Sequence, residues 1–198
     1  KIGEEQEKLI IDYLYEHIEK FDLVLFSDFG HGFITDKIRV LIENKAKISV
    51  VNVQTNGANM GYNTITKYHN INFACIDEPE ARLATQNKYG KIKDIGSHIY
   101  KSINAEYLII TQGKHGSIGF KSNGEPNITP AFTSKVIDRL GAGDAFLAFV
   151  APCFARKFPL DLVSFIGNVV GALAVQIVGN RESVEPNKLY EFIYTLLR

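Results

Sequence analysis

The chain has 198 residues, 45% of them hydrophobic, enough for one large domain or two small ones around a substantial core. Lysine plus arginine balance aspartate plus glutamate at 22 each, and this neutral total argues against a nucleic-acid or membrane-surface role. No apolar run approaches the roughly 20 residues that span a bilayer, and residues 1–20 are too charged for a signal peptide. The expected location is therefore cytoplasmic, with Cys75 and Cys153 as two free thiols in a reducing compartment.

Residues 4–20 place Leu9, Ile10, Tyr13, Leu14 and Ile18 on one side, which is helical spacing. DLVLFSD (22–28) is a short apolar run ending in an acid and reads as a buried strand. The Gly-containing turn FGHG (29–32) follows, then a helical pattern over 34–46 and a strand at ISVVNV (48–53). NINFACI (70–76) predicts a third strand and EPEARLATQ (78–86) a helix, with Pro79 at a tolerated first-turn position. A helix around 92–103 precedes a fourth strand, EYLIIT (106–111). Apolar strands alternating with helices predict a parallel sheet covered on both faces. After Thr111 the pattern changes: GSIGF, PNITPAF and SKVID read as short antiparallel strands. Helices are expected over 142–156, roughly 160–178, and 186–197, with Pro152 kinking or ending the first. No repeat, low-complexity stretch or linker interrupts the chain.

The stretch DRLGAGDAF (138–146) carries the chemistry. Gly141, Ala142 and Gly143 sit at a predicted strand-to-helix turn. Glycine there permits unusual backbone angles and a close approach. The first amides of the helix lack internal acceptors and carry partial positive charge, which attracts phosphate. Asp144, just inside the helix, can then face an attacking hydroxyl and take its proton. The alternative reading is an ordinary helix start with Asp as a dipole partner. A second Gly turn, TQGKHG (111–116), follows a strand, on the side where open α/β sheets bind ligands. Neither turn has the G-x-G-x-x-G pattern of a dinucleotide-binding dehydrogenase.

These segments resemble the ribokinase-like (PfkB) carbohydrate kinases. DRLGAGDAF is similar to that family's D-T-x-G-A-G-D-x-F signature, and TQGKHG to its T-x-G-x-x-G nucleotide turn. DEPEARLA (77–84) resembles its N-x-x-E segment, and GNVVGALAVQIVG (167–179) its late helix beside the adenine. SDFGHG (27–32) is similar to the SDYGKG of the heptose-kinase branch, the kinase half of the bifunctional ADP-heptose synthases. The resemblance implies a three-layer αβα fold with a mostly parallel, doubly wound sheet. It implies ATP-dependent phosphoryl transfer to a sugar hydroxyl with Mg2+, and K+ activation as in several members. Asp144 would be the base and the main chain of Gly141, Ala142 and Gly143 the anion hole. Glu80 would organise magnesium, with Asp77 beside it. Thr111, Gly113 and Gly116 would line the triphosphate and ribose, and Asn168 would lie near the adenine. Asp138 would help shape the monovalent-cation site.

There are departures from the family pattern. Arg139 stands where Thr is usual, Asp77 where Asn is usual, and His31 where the SDYGKG-like turn has Lys. Family members are also longer, and their N-terminal part supplies most sugar contacts. The 198 residues are accordingly expected to form a single nucleotide-binding, catalytic domain lacking the N-terminal substrate and lid portion. The expected partners are a sugar or sugar phosphate, ATP, a fused or paired nucleotidyltransferase, and a second copy in a homodimer. An alternative is a nucleotide-binding module or pseudokinase, inactive alone. Outside the motifs, the Asn-rich loop 52–63 reads either as a polar loop or as a sugar- or nucleotide-side loop. Asp28, His31, Lys114 and His115 have ligand-side readings beside their surface ones, and Phe146, Phe149, Phe154 and Phe165 read as core.

Overall fold

The computed structural model describes residues 1–57, 59–122, 124–133 and 135–198. The chain divides into two compact units. The first comprises 1–110 and 120–124, the second 111–119 and 125–198.

In the first unit, helix α1 (Glu4–His17) leads to strand β1 (Val24–Asp28), helix α2 (Asp36–Lys45) and strand β2 (Ser49–Val53). Strand β3 (Phe73–Asp77), helices α3 (Glu78–Thr85) and α4 (Ile92–Ile103), and strand β4 (Tyr107–Thr111) follow. The strands lie in the order β1-β2-β3-β4. β1 pairs with β2 in parallel, Asp28 opposite Val53, and β2 pairs with β3 in parallel, Val50 opposite Phe73. Every residue of β2 is buried, as a central parallel strand requires. β1 differs: its pattern alternates toward the end, and Leu25 stays exposed. The apolar stripe of α1 is likewise open, with Leu9 and Tyr13 exposed and only the following Ile18 buried. The helix predicted from that stripe forms, but it leaves a groove lined by Leu9, Tyr13, Leu14, Leu25, Phe33 and Ile34.

The second unit begins at the last residue of β4. Residues Ser117–Gly119 of strand β5 (Ser117–Lys121) pair antiparallel with β6 (Asn127–Thr129), as the short-strand pattern predicts. Helices α5 (Ala142–Ala155), α6 (Leu160–Ala174) and α7 (Pro186–Leu196) follow. Val169, Val170, Ala174, Val184 and Leu189 form a core against which Phe149 and Phe165 pack. α5 and α6 cross closely at Gly167, where an added Cβ would strike the Phe146 ring. α5 runs through Pro152 to Ala155, so that of the two outcomes expected at the proline, a kink or an end, the helix does not end there. One expectation is corrected here. SKVID is not a strand: Ser134 lies outside the described residues, and Lys135–Asp138 have no strand pairing. The amides of Ile137 and Asp138 instead both donate to Val175 O at the end of α6, at 2.9 and 3.0 Å.

In the first unit, the C-terminal end of β1 is held by a buried polar network. Asp28 Oδ2 accepts from the Tyr68 hydroxyl at 2.7 Å and pairs with Lys67 Nζ at 2.5 Å, while Oδ1 accepts from the Gly30 amide at 2.9 Å. Burial alone would raise the Asp28 pKa, but the bonds from Lys67, Tyr68 and Gly30 outweigh it and hold the carboxyl below its ordinary value. A depressed native pKa adds stability that is present above the unfolded value and lost as pH falls through the native one. Asp28→Asn is therefore expected to lower unfolding stability at pH 7 by about 1–3 kcal/mol. Denaturant titrations should show the gap to wild type closing as pH falls below about 4.

Candidate active site

The second unit contains a pocket of about 180 Å³. It is lined by Thr111, Gly113 and Gly116, by Asn168 on α6, and by Ala142 and Gly143 in the first turn of α5. Six residues singled out in the sequence are thus brought to one cavity. Lys114 also lines it; His115 is exposed and does not.

The two Gly turns are shaped by backbone angles that favour glycine. Gln112 N donates to Gly116 O at 2.7 Å, closing the 111–116 turn, and Gly113 and Gly116 have φ of 54° and 84°. A Cβ on Gly116 would meet Thr129 O and the backbone of Pro130 and Ala131. Gly141 is the left-handed N-cap of α5, with φ 75°, and its carbonyl accepts from Ala145 N at 2.9 Å. Ala142 N donates to Arg139 O at 3.3 Å. Gly143 and Asp144 follow in the first turn, where amides point out of the helix and the dipole favours an anion. The helix starts at Ala142, so Ala142 and Gly143 are its first-turn residues rather than loop residues before it. Asp144 is exposed in that turn.

Asn168 is buried and largely committed to the fold. Its amide nitrogen donates to Ser117 Oγ at 2.9 Å and to Thr129 O at 3.3 Å, tying α6 to β5 and β6. At the foot of the GAG turn, the Asp138 carboxylate accepts from Leu140 N at 3.0 Å and Gly179 N at 2.8 Å.

In the first unit, Asp77 and Glu80 form a capping box on α3. Glu80 N donates to Asp77 Oδ1 at 2.7 Å, and Asp77 N donates to Glu80 Oε2 at 2.8 Å. Thr55 N donates to Glu80 Oε1 at 3.0 Å. Burial and the nearby Asp77 charge push the Glu80 carboxyl up to about 7, and burial also raises Asp77. Two hard carboxylate oxygen donors that resist sharing negative charge suit a magnesium ion, which would relieve that repulsion. The Asn-rich loop is committed to structure: Asn59 Nδ2 donates to Phe29 O at 2.7 Å and Asn63 Nδ2 to Asp28 O at 3.0 Å. Ala58, within that loop, lies outside the described residues.

Part of the pocket was not anticipated residue by residue. Phe132 and Val136 lie on segments expected to be short strands, and Gly171 and Ala172 on α6, with Val175 just after it, belong to the segment 167–179 expected beside the adenine. A signal for the helix residues existed. Positions 168, 171, 172 and 175 share one helical face, and small residues at the centre of that face leave room for a ligand.

Residues 6–187 match the pfkB family of carbohydrate kinases. The chain belongs to that family. It is similar to the bifunctional protein HldE of Trichlorobacter lovleyi, at 27% identity over 176 residues, covering 87% of this chain and 35% of the relative. HldE of Campylobacter curvus is 29% identical over 185 residues, covering 91% and 38%. The pfkB chain therefore spans little more than a third of the length of these curated relatives. Among solved structures, a mutant phosphofructokinase-2 from Escherichia coli superposes with a TM-score of 0.82 at 14% identity, over 100% of this chain and 64% of that one. The same enzyme in complex with potassium gives 0.78 at 15%, covering 95% and 62%. Ribokinase of Arabidopsis thaliana, complexed with ribose and ATP, gives 0.75 at 17%, covering 92% and 58%. The ribokinase-like α/β fold expected from the motifs is the fold of this pfkB chain.

The Gly116 geometry makes a contrast testable. Gly116→Ala combines positive φ with a main-chain collision and should cost about 2 kcal/mol or more. A Cβ at Gly143 meets nothing within 4 Å, so Gly143→Ala should stay within about 0.5 kcal/mol of wild type. Thermal unfolding of both variants checks the pair.

Proposed function

We propose that this chain is the nucleotide-binding and phosphoryl-transfer portion of an ATP-dependent sugar kinase, working as a single catalytic domain. The observation that carries the reading is the start of α5. Gly141 caps it in a left-handed conformation, and Ala142 and Gly143 line the pocket together with Thr111, Gly113 and Gly116. A helix start with small residues facing a cavity admits a phosphate chain to main-chain amides. The apolar side chains of Phe132, Val136 and Val175 suit the flat face of a base, and Asn168 beside them ties α6 to β5.

In this reading Asp144 takes the proton of the acceptor hydroxyl as it attacks the γ-phosphoryl group. The amides of Gly141–Gly143 stabilise charge that builds on the transferring oxygens. Thr111, Gly113 and Gly116 hold the triphosphate and ribose. Glu80 and Asp77 would hold Mg2+, which when bound neutralises phosphate charge. The acceptor is a sugar or sugar phosphate. The name of the relatives, bifunctional protein HldE, supports pairing with a second catalytic domain, for which the family resemblance points to a nucleotidyltransferase. The same reading places the protein in the cytoplasm; among the described residues no helix is long and apolar enough to cross a membrane.

Asp144→Asn separates chemistry from binding. Its turnover with ATP and an acceptor sugar should fall by about 10²–10⁴-fold, with ATP affinity changed by less than about threefold. Undiminished turnover would remove Asp144 from the role of base. Nucleotide binding without turnover in wild type, over a panel of sugars and sugar phosphates, would favour a binding module.

A further inference from the structure

The pocket beside α5 belongs to a chain whose formal charges sum to zero, yet its lining is not neutral. Two charged residues line it, Lys114 and Arg139, and both are cations. Among the described residues no Asp or Glu lines it. Elsewhere in the protein, cations are matched with acids: Lys67 with Asp28, Arg39 with Glu43, Arg82 with Glu78. Among the described residues the side chains of Lys114 and Arg139 make no ion pair and no hydrogen bond. The acid next in the chain to Arg139, Asp138, accepts from Leu140 N and Gly179 N and does not pair with it.

Both side chains spring from turns with a fixed backbone. Lys114 lies in the turn between Gly113 and Gly116, both at positive φ, which Gln112 N closes by donating to Gly116 O. Arg139 stands two residues before Gly141. Its carbonyl accepts from Ala142 N, and the amide of Asp138 before it donates to Val175 O. The first turn of α5 opens on the same cavity and carries roughly half a positive charge from the helix dipole. Lys114 and Arg139 each add a full one. Both are exposed, so their charges stay hydrated in the free protein and within reach of a ligand.

We propose that Lys114 and Arg139 form a two-cation clamp on the phosphate chain of the nucleotide, so that the pocket grades its ligands by phosphate number and favours a triphosphate. The proposal rests on the nucleotide reading of this cavity and names the side chains that select within it. The guanidinium fork of Arg139 can hold two oxygens of one phosphate, while the Lys114 ammonium acts as a flexible point charge. Arg139 stands where the family pattern has Thr, so this chain brings a permanent charge to a position that an alcohol would leave neutral. Both are binding residues and take no part in proton transfer.

Calorimetry with adenosine, AMP, ADP, ATP and inorganic tripolyphosphate, at constant magnesium and in low and high NaCl, compares wild type with Arg139→Gln and Lys114→Gln. Wild-type affinity should rise with each added phosphate. Each variant should bind ATP and tripolyphosphate about 5–20-fold more weakly, and adenosine within about twofold of wild type. The loss should shrink at high salt, because exposed charges are screened. Arg139→Lys should recover part of it. Thermal midpoints should hold, since neither side chain has a partner in the fold. Unchanged ATP affinity in either variant would overturn the clamp, and so would an equal loss for adenosine. If wild type binds ATP no more tightly than adenosine, the clamp fails and the nucleotide reading stands. If tripolyphosphate behaves as stated but adenosine does not bind and ATP gains nothing over tripolyphosphate, the adenine reading fails and the clamp stands. If wild type binds none of the five, both fail.

Discussion

The second unit is organised by a backbone that must leave an anchored segment, reverse, and start a helix whose first amides face a cavity. Gly141, with φ 75°, makes that reversal. An L-residue with a side chain is strained at this angle, so the position favours glycine on conformational grounds before any ligand is considered. Its consequences extend along α5. Ala142 and Gly143 are small, so nothing stands between the helix dipole and the pocket, and Phe146 one turn on packs where α6 carries Gly167. A larger residue at 167 would push α6 away and with it Asn168, whose amide ties α6 to β5 and β6. Anion cradle and core packing are therefore consequences of the same few glycines.

The first unit meets a different demand: holding carboxylates at the ends of parallel strands. Asp28 at the end of β1 is neutralised by Lys67 and Tyr68, and its pKa falls. Glu80, in the first turn of α3, accepts from the amides of Thr55 and Asp77, and its pKa rises because burial and Asp77 dominate. The buried Asp28 and the half-buried Glu80 thus have opposite electrostatic character. The first is satisfied by its own lysine and belongs to the scaffold. The second would gain from a cation, consistent with the role proposed for it.

Much of this was legible in the residues. The alternation of apolar runs and helical patterns marks β1 to β4 and α1 to α4 to within a few residues, because a buried parallel strand is apolar along its length. The glycine turns were legible because positive φ leaves few residue choices. Other features depend on partners far away in the chain. SKVID looks like a strand by composition, but the amides of Ile137 and Asp138 are taken by Val175 O, a pairing that no local pattern reveals. Asp138 was read as part of a cation site, while its hydrogen bond to Gly179 is visible only once residues 41 positions apart are brought together. The Asn-rich loop could be read as a recognition surface, yet Asn59 and Asn63 spend their amides on the carbonyls at the end of β1. The open stripe of α1 carries helical spacing that does not say whether a face will be covered.

The central claim is that the cavity beside α5 holds an adenine nucleotide, and Gly171 offers the most direct test. It lines that cavity from α6, and a Cβ placed there meets nothing within 4 Å. Gly171→Leu should therefore fill the cavity while favouring the helix. ADP titration by calorimetry, with thermal unfolding as a control for the fold, compares it with wild type. The account predicts micromolar-to-millimolar binding by wild type and none by the variant at an unchanged or higher thermal midpoint. Equal binding by both proteins would place the nucleotide elsewhere and contradict the account.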